Sequence, residues 1–140
     1  MTFDEIWTGL VAHLKSEATY LGVHADNISR QTRTEIGPQI TPAITVGVEP
    51  VDSSLVSEAG IRPARHAEVI IWAWSDAMVT ASESLTSAMQ LCERAEKLAQ
   101  AWLMSQNAFP TNKGFTLEFE SSDRAAVSVA FQCKYSSSAP

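Results

Sequence analysis

A chain of 140 residues, 45% hydrophobic and 19% charged, has the size of one domain and lies outside the composition of disordered or low-complexity proteins. Its net charge is −6, with ten basic residues scattered among sixteen acidic ones, which excludes the basic patch that nucleic-acid binding needs. No window approaches about 18 uninterrupted apolar residues, and Met-Thr-Phe-Asp-Glu lacks the basic-then-apolar order of a signal peptide, so we expect no membrane span and a protein kept in a cytoplasm.

Thr2 and Glu5 form a capping-box pattern ahead of Phe3, Ile6, Trp7, Leu10, Val11 and Leu14, which recur at helical spacing and predict an amphipathic first helix ending at Gly22. From Val23 to Pro42 the periodicity is lost, and Asn27, Gly37, Pro38 and Pro42 predict loop, with room for a short strand near Ile28–Thr32. Ile44, Val46 and Val48 alternate with Thr45 and Gly47, a strand over Ala43–Glu49. Pro50–Pro63 is a long irregular connection containing Asp52, Ser53, Ser54 and Leu55. Connections of that length are either functional or the solvated tip of a hairpin.

His66–Trp74 is apolar on both faces: Val69, Ile71 and Ala73 point one way, Ile70, Trp72 and Trp74 the other. A strand with one wet face would show polar residues at every second position. This one is central, with helices on one side and either a second sheet layer or a neighbouring subunit on the other. Thr80 and Glu83 cap a long helix to about Met104, with Leu85, Met89, Cys92, Ala95, Ala99 and Trp102 as its apolar stripe. Leu91 and Leu98, one heptad apart and off that stripe, point to a second contact. Asn107–Gly114 reads as loop. Phe115, Leu117 and Phe119, then Val127, Val129, Phe131, Cys133 and Tyr135, predict an antiparallel C-terminal hairpin with one buried face, followed by a frayed tail at 136–140. The expected fold is a single α+β domain over residues 1–135: an antiparallel or mixed sheet with two long helices on one face, in the order α-β-β-α-β-β.

Chemistry is sparse. His66-Ala67-Glu68 has the H-x-E order of zinc deaminases but enters a strand, and no P-C-x-x-C completes the ligand set. His13 and His24 form no i,i+4 pair, and phosphate-binding and nucleophile-elbow motifs are missing. Cys92 and Cys133 fall within apolar periodicity and read as two buried thiols, a single disulfide being the alternative. We therefore expect no catalytic residues, no metal and no cofactor. Trp72 and Trp74 compete between core and interface, since exposed aromatics anchor interfaces.

The order of elements carries a resemblance. A capped helix leads to a strand opening Pro-Ala-Ile-Thr-Val (Pro42–Val46), then a long connection, the aromatic strand Val-Ile-Ile-Trp-Ala-Trp (Val69–Trp74), one long helix and a hairpin. Over nearly the whole chain this resembles the tail terminator (tail-completion) proteins of tailed phages. The resemblance implies a structural subunit of a ring, usually a hexamer, that caps the tail tube and meets head-completion proteins. Such a subunit is made in the host cytoplasm and ends in the virion tail. DNA would pass its channel without being bound, which an acidic subunit suits. Interface candidates are Ile70, Trp72 and Trp74 on the aromatic strand and Asp52, Ser53, Ser54 and Leu55 in the long connection. The alternatives are another tube or baseplate subunit, or a small-molecule-binding α+β domain.

Overall fold

The computed structural model describes residues 2–33, 35, 37–38, 40–51, 64–76, 80–120 and 124–136. Helix α1 (Phe3–Ser16) begins with the expected reciprocal cap: the Glu5 amide donates to Thr2 Oγ1 (3.1 Å), and the Thr2 amide donates to Glu5 Oε1 (3.3 Å). Two donors that a helix start leaves unpaired are thereby satisfied. The helix stops at Ser16, short of the expected Gly22. The Ser16 hydroxyl turns back to the His13 carbonyl (2.6 Å), and Glu17 leaves helical geometry. A four-residue helix α2 (Ala18–Leu21) follows, closed by Gly22 at φ 74, a left-handed conformation that glycine adopts without a Cβ penalty.

After a 3-10 turn at Ala25–Asn27 the chain forms strands β1 (Ile28–Arg30), β2 (Ala43–Val51) and β3 (Ala64–Trp74), helix α3 (Ala81–Ser105), and strands β4 (Phe109–Glu120) and β5 (Ala125–Ser136). The fold is α+β. The added α2 and β1 extend the expected order, and β1 fills the short stretch foreseen near Ile28. The five strands lie in the order β1-β2-β3-β5-β4; β1 is parallel to β2 and every other pairing is antiparallel. β3 is central, as its two apolar faces require.

Register places Val46, Ile71 and Val129 side by side across β2, β3 and β5, and all three are fully buried in one cluster with Leu10 and Leu14 of α1 and Cys92, Ala95 and Ala99 of α3. Burying a side chain of this kind stabilises by about 1.5–3 kcal/mol. α1 lies over β1 and β2, and α3 over β3, β5 and β4. The helices meet closely at Gly9, where an added Cβ would lie 2.5 Å from Trp102 Cζ2. Leu91 is buried and Leu98 packs against the core, so the off-stripe leucines widen the one core rather than forming a second contact.

Three expectations are corrected from α3 onward. Residues 109–114, read as loop, belong to β4. Pro110, the positive φ of Gly114 (101°) and a register shift between Asn112 and Gly114 break the two-residue period by which a strand is recognised. An edge strand tolerates all three. Met89, Phe115 and Leu117, expected to be buried, are exposed: Phe115 and Leu117 belong to the outermost strand, and Met89 lies on the flank of α3 that faces it. Ser136, assigned to the tail, ends β5; residues 137–140 lie outside the described residues.

Candidate functional site

The sheet face opposite the helices carries Ile70, Trp72 and Trp74. The helix-bearing side already uses Val69, Ile71 and Ala73, so strand alternation sends the indoles to the other. Neither a second sheet layer nor a neighbour is needed to cover them. Ile70 is 2% and Trp72 6% exposed, and Trp74 is half-buried. Over Trp72 and Trp74 lies a strap of the same chain, residues 31–33, 35, 37 and 38, part of the stretch that sequence left without periodicity. Of the interface candidates on this strand, Ile70 and Trp72 fall on the core side of the alternative and present no surface to a neighbour, while Trp74 is half-buried.

Each contact of the strap has a local cause. Gln31 continues the path of β1, donating its amide to the Val46 carbonyl (2.9 Å). Its own carbonyl and the Trp72 ring lie over Gly47, where an added Cβ would sit 2.8 Å from Gln31 O and 2.9 Å from Trp72 Cζ3. Only the missing side chain leaves room. Gly37 lies flat on the benzo ring of Trp74. Arg124 donates to the Pro38 carbonyl (2.5 Å) and holds its guanidinium 5.4 Å above the Trp74 ring, a cation–π geometry. Trp74 Nε1 donates to Thr45 Oγ1 (3.0 Å), which satisfies the indole N–H.

Charge closes one side of the strap. Arg33 reaches Glu49 Oε1 through Nε and Glu68 Oε1 through Nη2, both at 2.6 Å, and Lys113 Nζ of β4 approaches Glu68 Oε2 at 3.3 Å. Glu49 and Glu68 face each other across β2 and β3, so without Arg33 two like charges would sit side by side. Hydrogen bonding to Glu49 holds the guanidinium above its ordinary pKa. Beside the strap a shallow cleft of about 270 Å³ is lined by Gln31, Arg33, Glu35, Gly37, Trp72, Trp74 and Glu118. It is polar and smaller than a usual ligand pocket, and its guanidinium is already paired.

A more apolar groove of about 420 Å³, lined by residues including Phe3, Val51, His66 and Tyr135, runs beside the start of α1. Its rim at Val51 leads into 52–63. Asp52, Ser53, Ser54 and Leu55 lie outside the described residues. The buried Nδ1 of His66 has no hydrogen-bond partner among the described residues, while Glu68 of the same triplet is engaged by Arg33 and Lys113. His13 stacks on Trp102, and His24 caps the 3-10 turn through its Nδ1 (3.1 Å from Asp26 N). No group of three or more metal-ligating side chains occurs among the described residues. Cys92 and Cys133 are free and buried, and burial pushes both thiols up to about 12, with Glu96 and Glu93 adding to the effect at Cys92.

The surface that sequence missed is the edge of β4. Phe115 and Leu117 are 48% and 52% exposed, and Phe109 and the α3 residues Met89 and Met104 are exposed as well. Glu96 accepts from Asn112 Nδ2 at 3.0 Å, which fixes that flank of α3 against β4. Met89, one heptad earlier, therefore shares the flank and lies toward Phe115. On the opposite flank Arg94 donates to the Leu21 carbonyl of α2 (3.2 Å), and Tyr20 of α2 is exposed there. No helix among the described residues is long and apolar enough to cross a membrane. No family model and no curated protein matches the chain.

Proposed function

We propose that this chain is a structural subunit of a phage tail: a tail terminator that assembles into a ring, six-membered by the resemblance, on the end of the tail tube and joins it to the head. The observation that supports this reading is an apolar surplus on several sides of a subunit whose core is already sealed. Tyr20 and Met89 flank α3 on opposite sides, Phe109, Phe115 and Leu117 follow the β4 edge, and Ile40 is exposed beyond the strap. A ligand-binding domain concentrates its apolar surface in one concave site. A subunit with neighbours on several sides spreads it, and a closed ring requires two unlike patches on each copy.

On this reading the partners are further copies of the chain, the tail tube protein and a head-completion protein. The net charge of −6 suits a channel through which DNA slides, since like charge opposes adhesion. The role is non-enzymatic, and the protein passes from the host cytoplasm into the virion. Native mass measurement with negative-stain imaging, alone and with tail tubes, tests it. The expected result is a ring with a central hole seated on the tube end. Filaments would assign the chain to the tube itself. A species that stays monomeric at high concentration with tubes present would sink the proposal.

A further inference from the structure

We infer that the free edge of β4 is a contact between two copies of this chain, paired antiparallel about a two-fold axis through Thr116. β4 is the outermost strand on its side of the sheet. Among the described residues its outer backbone groups have no strand to pair with, over twelve residues or about 40 Å at the usual rise per residue. Proteins blunt such edges with charge, proline or irregularity. Pro110 lies near one end, and register shifts occur between Asn112 and Gly114 and between Leu117 and Phe119. The regular stretch between those shifts holds two half-exposed apolar side chains, Phe115 and Leu117. The lysine before it, Lys113, is turned to Glu68.

That stretch is self-complementary. Phe115 and Leu117 pair with Val129 and Val127 of β5 and so share the helix-bearing face. A two-fold axis perpendicular to the sheet keeps each face on its own side. Centred on Thr116, it sets Phe115 of each copy opposite Leu117 of the other. The result is a row of four apolar side chains flanked by Met89 from each α3, while the two Thr116 side chains meet on the opposite face. A centre one position earlier runs the partner of Leu117 into the register shift between Asn112 and Gly114, and a later centre carries the match beyond the shift after Leu117. Paired residues in an antiparallel ladder make this kind of contact, aromatic against branched aliphatic, favourably.

The pair is isologous and cannot itself close a ring. It is a contact additional to the head-to-tail one and does not depend on the ring reading. A contact made through one strand edge and two apolar side chains per copy is expected to form on concentration and be lost on dilution, since stable complexes bury about 800 Å² per partner.

The test is Thr116→Cys in the full chain under mild oxidation. Across the two-fold axis the Cα atoms would stand about 4.5–5.5 Å apart, inside the range a disulfide spans. The expected result is a covalent dimer for Thr116→Cys and little for Phe115→Cys, whose copies are offset across the axis. The parent should give none, because Cys92 and Cys133 are buried. Adding Leu117→Lys to Thr116→Cys should abolish the cross-link with circular dichroism unchanged. Equal cross-linking at Thr116→Cys and Phe115→Cys would mean random collision and overturn the pairing. So would a Thr116→Cys protein that stays monomeric while its thiol reacts with a small reagent. Imaging the same samples separates the two proposals: rings without the cross-link refute the pairing alone, and cross-linked dimers that never form rings on tubes refute the ring alone.

Discussion

Replacing Trp72 with Ala and Arg33 with Ala asks what holds the strap against the sheet. Arg33 makes the more conspicuous contacts, two ion pairs at 2.6 Å, but its side chain is 53% exposed and that of Glu49 is 40% exposed. Pairs so open to solvent contribute about 0–1 kcal/mol each, and salt weakens them further. Trp72 makes no ion pair, yet it is only 6% exposed. An indole that buries roughly 200 Å² at about 25 cal/mol per Å² gains about 5 kcal/mol, and truncating a buried aromatic residue to alanine typically costs about 3–5 kcal/mol. Urea denaturation should therefore show Trp72→Ala destabilised by about 3–5 kcal/mol at any salt concentration. Arg33→Ala should lose less than about 2 kcal/mol at low salt and less again at 0.5 M salt, a screened condition. Equal losses for the two variants would show that charge holds the strap and that the area argument is wrong. A Trp72→Ala protein with parental stability but altered association would return the indole face to the list of interfaces.

Gly47→Ala forces a methyl group within 3 Å of the Gln31 carbonyl and the Trp72 ring; it should lower stability by about 1–3 kcal/mol and raise Trp72 exposure, read by quenching of tryptophan fluorescence with acrylamide. Cys92 and Cys133 should react with a thiol reagent only after unfolding, two per chain, and a denatured, unreduced protein with no free thiol would contradict their assignment. Their folded pKa of about 12 against an ordinary 9.0 means that the native state keeps protons which the unfolded chain loses. Stability should be flat with respect to these groups below pH 9 and fall between pH 9 and 12, by about 1.4 kcal/mol per pH unit for each thiol, an effect that Cys133→Ala should halve in a pH series of denaturation curves. Deleting Asp52–Leu55 should leave the circular dichroism intact and weaken ring formation in negative-stain counts; normal rings would mean that the segment makes no contact.

Sequence made the layers legible and left their cover unread. The alternation of Val69–Trp74 and the spacing of Leu10, Leu14, Ala95 and Ala99 report burial against regular elements, so β3, α3 and the start of α1 were placed within a few residues. The strap has no period, because its contacts are single events: a flat glycine on an indole, a guanidinium between two carboxylates, a carbonyl over Gly47. The one hint was parity, since Glu49 and Glu68 fall on the same face as Trp72 and call for a cation. β4 was half-read for the opposite reason. Its Phe115-Thr116-Leu117 alternation implies a buried face, but alternation cannot tell cover within the chain from cover by a neighbour. Asp52–Leu55 rested on the length of a connection alone.

The latest strand in chain order, β5, is inserted between β3 and β4, and this orders events during synthesis. Until residues 125–136 emerge, β3 has an unpaired side and β4 has no sheet to join, so the α1–β3 portion can collapse around α3 without ever presenting the outer edge. Formation of the β3–β5 ladder, which joins residues some sixty positions apart, is the slow, non-local step by the usual dependence of folding rate on contact separation. A chain that stalls or is truncated before that point lacks the very surface through which copies would associate. On the pairing proposed above, the contact edge is completed only with the last strand, so the order of strands in the chain would tie association to finished folding.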